Sequence, residues 1–129
     1  MINIGIDPGV KTGFAKIENG EIWVQTLNFY EVLSLLDTYK KQEIKVYIEV
    51  PENRHVWHAK GAAFNVGMAV REAELLAGEI KKRGIDTVLI SPKQKGPKWD
   101  KKAFQKITGL KNQTNQHERD AIMLIWGRD

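Results

Sequence analysis

No cysteine occurs among the 129 residues, which excludes disulfide bonds and thiolate metal sites. This absence is typical of proteins from a reducing compartment, so we expect a cytoplasmic location. No apolar run approaches the roughly 18 residues that a membrane-spanning helix requires. The opening residues, MINIGIDPG, have no basic region and alternate like a strand, so we expect neither a signal peptide nor a membrane partner.

The composition predicts one ordinary folded domain over residues 1–129. Hydrophobic residues make up 42% of the chain and charged residues 28%, as is common in globular proteins. The net charge of +4 is concentrated in the stretch KQKGPKWDKKAFQK, residues 93–106, where Asp100 is the one acid. This stretch is either a solvated surface or a contact surface for a phosphate backbone. The predicted DNA contacts within it are Lys93, Lys95, Lys98, Lys101 and Lys102.

The stretch INIGIDPGVKTGFA organises the rest of the predicted fold. Residues Ile2–Asp7 alternate as a half-buried strand does. Pro8-Gly9 ends that strand, because proline has no N–H to donate and glycine tolerates a turn. The carboxylate of Asp7 is therefore left at the mouth of a sheet.

Asn19-Gly20 is a strong signal for a hairpin turn. It joins strands predicted at Thr12–Glu18 and Glu21–Leu27, which with the first strand form an antiparallel meander. Hydrophobic spacing and capping residues predict the secondary structure of the rest of the chain. The further elements are a helix over 29–41, a strand over 45–50, a polar loop over 52–58, a helix over 59–83, a strand over 86–91, a basic loop over 93–99, a helix over 101–107 and a helix from 115 to 126.

The order βββαβαβα predicts an α/β fold. Three antiparallel strands followed by two parallel strands form a mixed five-stranded sheet flanked by helices, and we expect right-handed crossovers. In such sheets, ligands and chemistry gather beyond the carboxyl ends of the strands.

Four side chains are expected to meet at that edge. Asp7 ends the first strand and Glu49 lies at the end of the fourth, while His117 and Asp120 share a face in the first turn of the last helix. Clustered carboxylates repel unless a cation neutralises them, and oxygen ligands with an imidazole suit Mg²⁺ or Mn²⁺. Taken singly, Asp7 is equally a turn former, and Asp120 equally complements a helix N-terminus.

Four motifs follow one another along the chain: IGIDPG with TGFA near the start, YIE at 47–49, VGMAVR at 66–71 and HERDA at 117–121. The ordered set spans nearly the whole chain and resembles the RuvC-type Holliday junction resolvases of the RNase H-like superfamily. The opening motif alone is not specific, because actin-like ATPases begin in a similar way. The ordered set carries the resemblance.

The resemblance implies an RNase H-like nuclease domain and a Mg²⁺-dependent, structure-selective endodeoxyribonuclease, with Mn²⁺ able to substitute. Such an enzyme cuts branched DNA, a four-way junction, as a homodimer in DNA recombination and repair, and needs no small-molecule cofactor. By position, Asp7 would bridge two metal ions, Glu49 would complete one site, and His117 with Asp120 the other. Water would attack phosphorus in line, without a covalent intermediate.

The resemblance also implies secondary contacts and shows two departures. Lys101 or Lys102 resembles a basic helix start that contacts phosphate near the cut. The chain is shorter than typical cellular members and more like compact forms from phages and mobile elements. The family often has an aromatic residue three positions after the second acid, where this chain has Glu52. Trp57, in the same predicted loop, either replaces that DNA contact or packs in the core or on the surface.

Three other functions stay open at this point. The first is another RNase H-like nuclease that acts on RNA or flaps, as in pre-ribosomal RNA processing. The second is a protein that binds junctions without cutting them. The third is a sugar-kinase or actin-type ATPase, which needs two such lobes where 129 residues supply one.

Overall fold

A mixed five-stranded sheet forms the centre of the computed structural model, which describes residues 1–51, 60–111 and 113–128, with 60–68 described as backbone only. Its strands are β1 (Ile2–Asp7), β2 (Thr12–Glu18), β3 (Glu21–Leu27), β4 (Ile44–Glu49) and β5 (Asp86–Ile90). They lie in the order β3-β2-β1-β4-β5. The first three pair antiparallel, whereas β4 runs parallel to both β1 and β5. The predicted fold class is confirmed.

Helices cover both faces of this sheet. They are α1 (Phe29–Leu36), α2 (Lys60–Lys82), α3 (Pro92–Lys95), α4 (Lys101–Thr108) and α5 (Gln116–Ile125), with a 3₁₀ turn at Lys41–Glu43. Among the described residues, no helix is long and apolar enough to cross a membrane.

Side-chain alternation divides the interior into two cores. Ile4 and Ile48 face one side of the sheet, where they pack with residues of α1 and α2. Tyr47 faces the other side and packs with Ile122 and Phe104, which belong to α5 and α4. Because residues two apart in a strand share a face, Glu49 lies on the same side as Tyr47, toward α5. Ile4 and Ile6 both face α1 and α2. Asp7, the next residue in the strand, therefore faces the opposite side, toward α5.

Two glycines bring α5 unusually close to the sheet. A Cβ added to Gly5 would overlap the carbonyl group of Ala121, and one added to Gly13 would overlap the carbonyl group of His117. The atoms in the way belong to backbone, so a side-chain rotation cannot relieve either overlap. The helix that carries two predicted site residues therefore rests directly on β1 and β2.

Two predicted elements are wrong in extent or type. Helix α1 ends at Leu36 with Asp37 as its C-cap, five residues before the predicted end at 41. The N–H groups of Thr38 and Tyr39 bond three residues back instead of four, so the helix tightens and stops. The start of the predicted loop over 93–99 belongs to α3, a single turn that has Ser91 as its N-cap.

The other predicted boundaries differ from the observed ones by one or two residues. Strand β4 runs one position earlier than predicted, and β5 ends at Ile90. Helix α4 extends to Thr108, and α5 ends at Ile125 with Trp126 as its C-cap. The predicted loop at 52–58 and residue 59 lie outside the described residues.

Candidate active site

The first two acids of the candidate site lie side by side at the carboxyl ends of β1 and β4. Ile6 pairs with Ile48 in parallel register, so Asp7 and Glu49 follow on neighbouring strands. Their carboxyl groups share a hydrogen bond. Burial raises the pKa of Asp7 to about 8, and the hydrogen bond and negative charge of Glu49 act in the same direction. Asp7 therefore holds a proton at neutral pH.

The first turn of α5 adds an imidazole and a third carboxylate. The Nδ1 atom of His117 lies 3.4 Å from Oδ2 of Asp7, and the imidazole is about half exposed. Asp120, three residues after His117, is buried. The helix begins here because Asn115 accepts a hydrogen bond from the Glu118 N–H, while the Glu118 side chain accepts one from the Asn115 N–H.

A lysine lies in the middle of these acids. The Nζ atom of Lys95 is 3.0 Å from Oε2 of Glu49 and 3.7 Å from Oδ2 of Asp120. Its side chain is only 4% exposed, as is that of Asp120. Lys98 approaches the same oxygen of Asp120 at 3.6 Å from the solvent side. Three carboxyl groups are thus balanced by two ammonium groups and the proton on Asp7.

Neighbouring polar groups hold Asp120 in position. The Nε2 atom of Gln116 donates to Oδ1 of Asp120 at 2.7 Å, which leaves Oδ2 toward the lysines. Gln116 in turn accepts from the buried Arg119, whose guanidinium also donates to the carbonyl groups of Trp99 and Thr114. Neither Gln116 nor Arg119 was among the predicted site residues. The one signal for Gln116 is its spacing of four from Asp120 on one helix.

These donors suit a hard divalent cation by their chemistry. Carboxylate oxygens and one imidazole are ligands that Mg²⁺ and Mn²⁺ accept, and the Lys95 ammonium stands in as the cation among them. Within residues 1–51, 60–111 and 113–128, no three His, Asp or Glu side chains are arranged to hold one ion as they stand. A metal ion would therefore require side chains in the cluster to move.

The predicted DNA contacts are found in two different environments. Lys93, Lys98, Lys101 and Lys102 are exposed along α3, α4 and the segment between them. Lys95 instead turns inward to the acids. Trp57, the remaining predicted contact, lies outside the described residues.

Comparison with known proteins identifies the fold. No family model matches the sequence, and no curated protein matches it. The structure is similar to T. thermophilus RuvC in complex with Holliday junction substrate, with a TM-score of 0.59, 18% identity, and coverage of 96% of this chain and 89% of that chain. The chain has the RuvC fold.

A second structure of Thermus thermophilus RuvC agrees. Its TM-score is 0.52 at 17% identity, and the match covers 96% of this chain and 90% of the RuvC chain. The likeness therefore extends over nearly the whole length of both proteins. It confirms the resemblance at the level of the fold.

Proposed function

We propose that this chain is a metal-dependent endodeoxyribonuclease that resolves four-way DNA junctions. One observation carries the proposal: Asp7, Glu49, His117 and Asp120 converge at the carboxyl edge of the sheet, next to exposed lysines. The RuvC fold supports the junction as substrate, because one of the similar RuvC structures contains a Holliday junction substrate. Branched DNA is thus the proposed partner.

The roles of the residues follow from their chemistry. Asp7, Glu49, Asp120 and His117 would hold Mg²⁺, or Mn²⁺ in its place. A cation bound there would polarise the phosphodiester and activate water for in-line attack on phosphorus. Gln116 would keep one oxygen of Asp120 occupied, so that the other stays directed at the reaction centre.

The exposed lysines would bind the DNA backbone. The carboxylates alone would repel a phosphate, and the positive charge beside them offsets that repulsion. The Nζ atom of Lys98 lies 3.6 Å from Oδ2 of Asp120, and its side chain is 66% exposed. Lys93, Lys101 and Lys102 would extend the contact along the duplex arm.

A homodimer is part of the proposal, because a junction with two symmetric strands calls for two active sites. Helix α2 is the candidate interface. Leu75 on this helix and Tyr30 on α1 are exposed and line one groove with Phe29, Arg71 and Glu72. Light scattering with and without DNA tests this assembly, and a monomer under both conditions would count against it.

A second candidate is a protein that binds junctions without cutting them. The ion pairs of Lys95 with Glu49 and Asp120 favour it, since they occupy the oxygens that a metal ion needs. A third candidate is an RNase H-like nuclease that acts on RNA or flaps.

A substrate panel separates these functions. A four-way DNA junction, a flap, a linear duplex and a structured RNA would be compared with Mg²⁺ present, with binding and cleavage measured separately. Preferential cleavage of the junction supports resolution. Tight junction binding without any cleavage supports the non-catalytic candidate. Preferential cleavage of RNA or flaps would mean that these, and not the junction, are the substrate.

A further inference from the structure

The position of Lys95 is difficult to explain as part of a DNA-binding surface. A lysine that binds a phosphate backbone extends into solvent, whereas this side chain is 4% exposed and its ammonium lies between Glu49 and Asp120. The charge of Lys95 also acts on Asp7, whose pKa it lowers against the larger effect of burial. Three acids from three separate elements therefore interact with one ammonium group.

We propose that Lys95 is an internal counter-ion that a divalent cation must displace. This inference rests on the proposed metal site and adds a competitor to it. In the absence of metal, the ammonium neutralises Glu49 and Asp120, which would otherwise repel each other in a buried setting. When metal binds, the same oxygens become its ligands and the two ion pairs of Lys95 are lost.

The short helix α3 carries this lysine. It is a single turn of four residues, fixed at its start by the Ser91–Gln94 capping box and by Pro92. It ends at Gly96, whose φ of 81° is easily adopted only by glycine. Lys95 is the last residue of that turn, so its displacement disturbs one short element and leaves the sheet intact. Metal binding is thereby coupled to the basic segment that follows.

The proposal predicts that the lysine lowers metal affinity. A positive charge about 3–4 Å from two ligand oxygens opposes a divalent cation strongly where solvent is scarce. Replacing Lys95 with a neutral side chain should therefore tighten Mn²⁺ binding by about tenfold or more. Lys106→Met, which removes the same charge from an exposed position on α4, should leave the affinity within about twofold of wild type.

The test is a Mn²⁺ titration of the full chain, followed by electron paramagnetic resonance of the free ion. The proteins are wild type, Lys95→Met, Lys95→Gln, Lys106→Met and Asp120→Asn. Tighter binding by both Lys95 variants supports the proposal. Equal or weaker binding by them than by Lys106→Met overturns it. Lys95→Gln removes the charge but keeps an N–H donor at this position, so the test stands even where the methionine variant does not fold.

Asp120→Asn separates failure of this inference from failure of the proposed function. If Asp120→Asn no longer binds Mn²⁺ while the Lys95 variants have the same Mn²⁺ affinity as Lys106→Met, the proposed metal site is supported and the counter-ion role of Lys95 is wrong. If wild type and Asp120→Asn bind Mn²⁺ equally, the metal site itself is wrong, and the counter-ion role falls with it. Thermal unfolding in EDTA gives a second readout, in which Lys95→Met is expected to melt lower than wild type and to recover with Mn²⁺.

Discussion

The backbone of Gly13 lies directly against the carbonyl group of His117, with no room for a side chain between them. Strand β2 and the first turn of α5 are thereby packed backbone against backbone. Because His117 and Asp120 belong to that turn, the distance also sets their position relative to Asp7. The absence of a side chain on β2 is thus part of how the site is built.

Gly13→Ala is expected to destabilise the fold and disturb the site together. The added methyl group would push α5 away from the sheet, and overpacking of this kind costs about 1–3 kcal/mol or more. Chemical denaturation gives the free energy of unfolding, and a Mn²⁺ titration reports on the site. Gly78→Ala is the control, because open space surrounds that helical glycine, and it should stabilise by about 0.5–1 kcal/mol. Equal effects of the two variants would contradict the packing argument.

Asp7→Asn is expected to make the metal-free protein less sensitive to pH. The pKa of Asp7 is raised from 3.8 to about 8, so the folded chain keeps a proton that the unfolded chain releases. The resulting stabilisation is complete below pH 3.8 and is lost as the pH rises toward 8. The asparagine keeps a donor for Glu49 at every pH.

Denaturation in EDTA between pH 5 and 9 measures this difference. The Asp7→Asn variant should gain stability over wild type as the pH rises, with the greatest advantage at the alkaline end. Asp86→Asn is the control, since that side chain is 63% exposed, and it should follow wild type. A constant difference between Asp7→Asn and wild type would show that the Asp7 proton does not contribute.

Gln116→Ala is expected to weaken metal binding, with a modest loss of stability because the buried Arg119 loses one acceptor. Its amide donates to Asp120 at 2.7 Å, and loss of such a support to a metal ligand typically costs about tenfold or more in affinity. The measurement is a Mn²⁺ titration beside thermal unfolding. Gln113→Ala, an exposed residue just before α5, should bind Mn²⁺ as wild type does. Unchanged affinity in Gln116→Ala would remove its positioning role.

Replacing both Lys101 and Lys102 with alanine is expected to weaken junction binding and its salt dependence. If each lysine contacts one phosphate, the slope of log affinity against log salt should fall by about 2. The paired control is Lys40 with Lys41, which are exposed before β4, at the end of that strand away from the acids. A slope that falls equally in both double variants would indicate a general charge effect.

Local signals predicted the strands well and some helix ends poorly. The turns at Pro8-Gly9 and Asn19-Gly20 bound β1, β2 and β3 as predicted, because only certain backbone conformations suit these residues. Tyr39 continues the apolar spacing of α1, yet the helix ends before it, since periodicity alone carries no information about the cap at Asp37. The segment that forms α3 was predicted as the start of a basic loop, because its lysines are typical of an exposed charged segment. The capping box of Ser91 and Gln94 was the signal for a helix there.

The sequence indicated which acids would meet, but not what would lie among them. Asp7 and Glu49 follow paired residues of adjacent parallel strands, a relation that strand order alone predicts. Lys95 and Lys98 belong to the same basic stretch, yet one is buried and the other exposed. That difference depends on the direction of a four-residue turn, which composition does not specify.

Cleavage of a synthetic four-way DNA junction tests the proposed nuclease activity. Linear duplexes of the same arms serve as the comparison, and each reaction is run with Mg²⁺, with EDTA, and with Asp7→Asn in place of wild type. We expect paired symmetric nicks on the junction that disappear with EDTA and with Asp7→Asn, while Asp7→Asn still binds the junction. Normal cleavage by Asp7→Asn, or cleavage that persists in EDTA, would contradict this expectation.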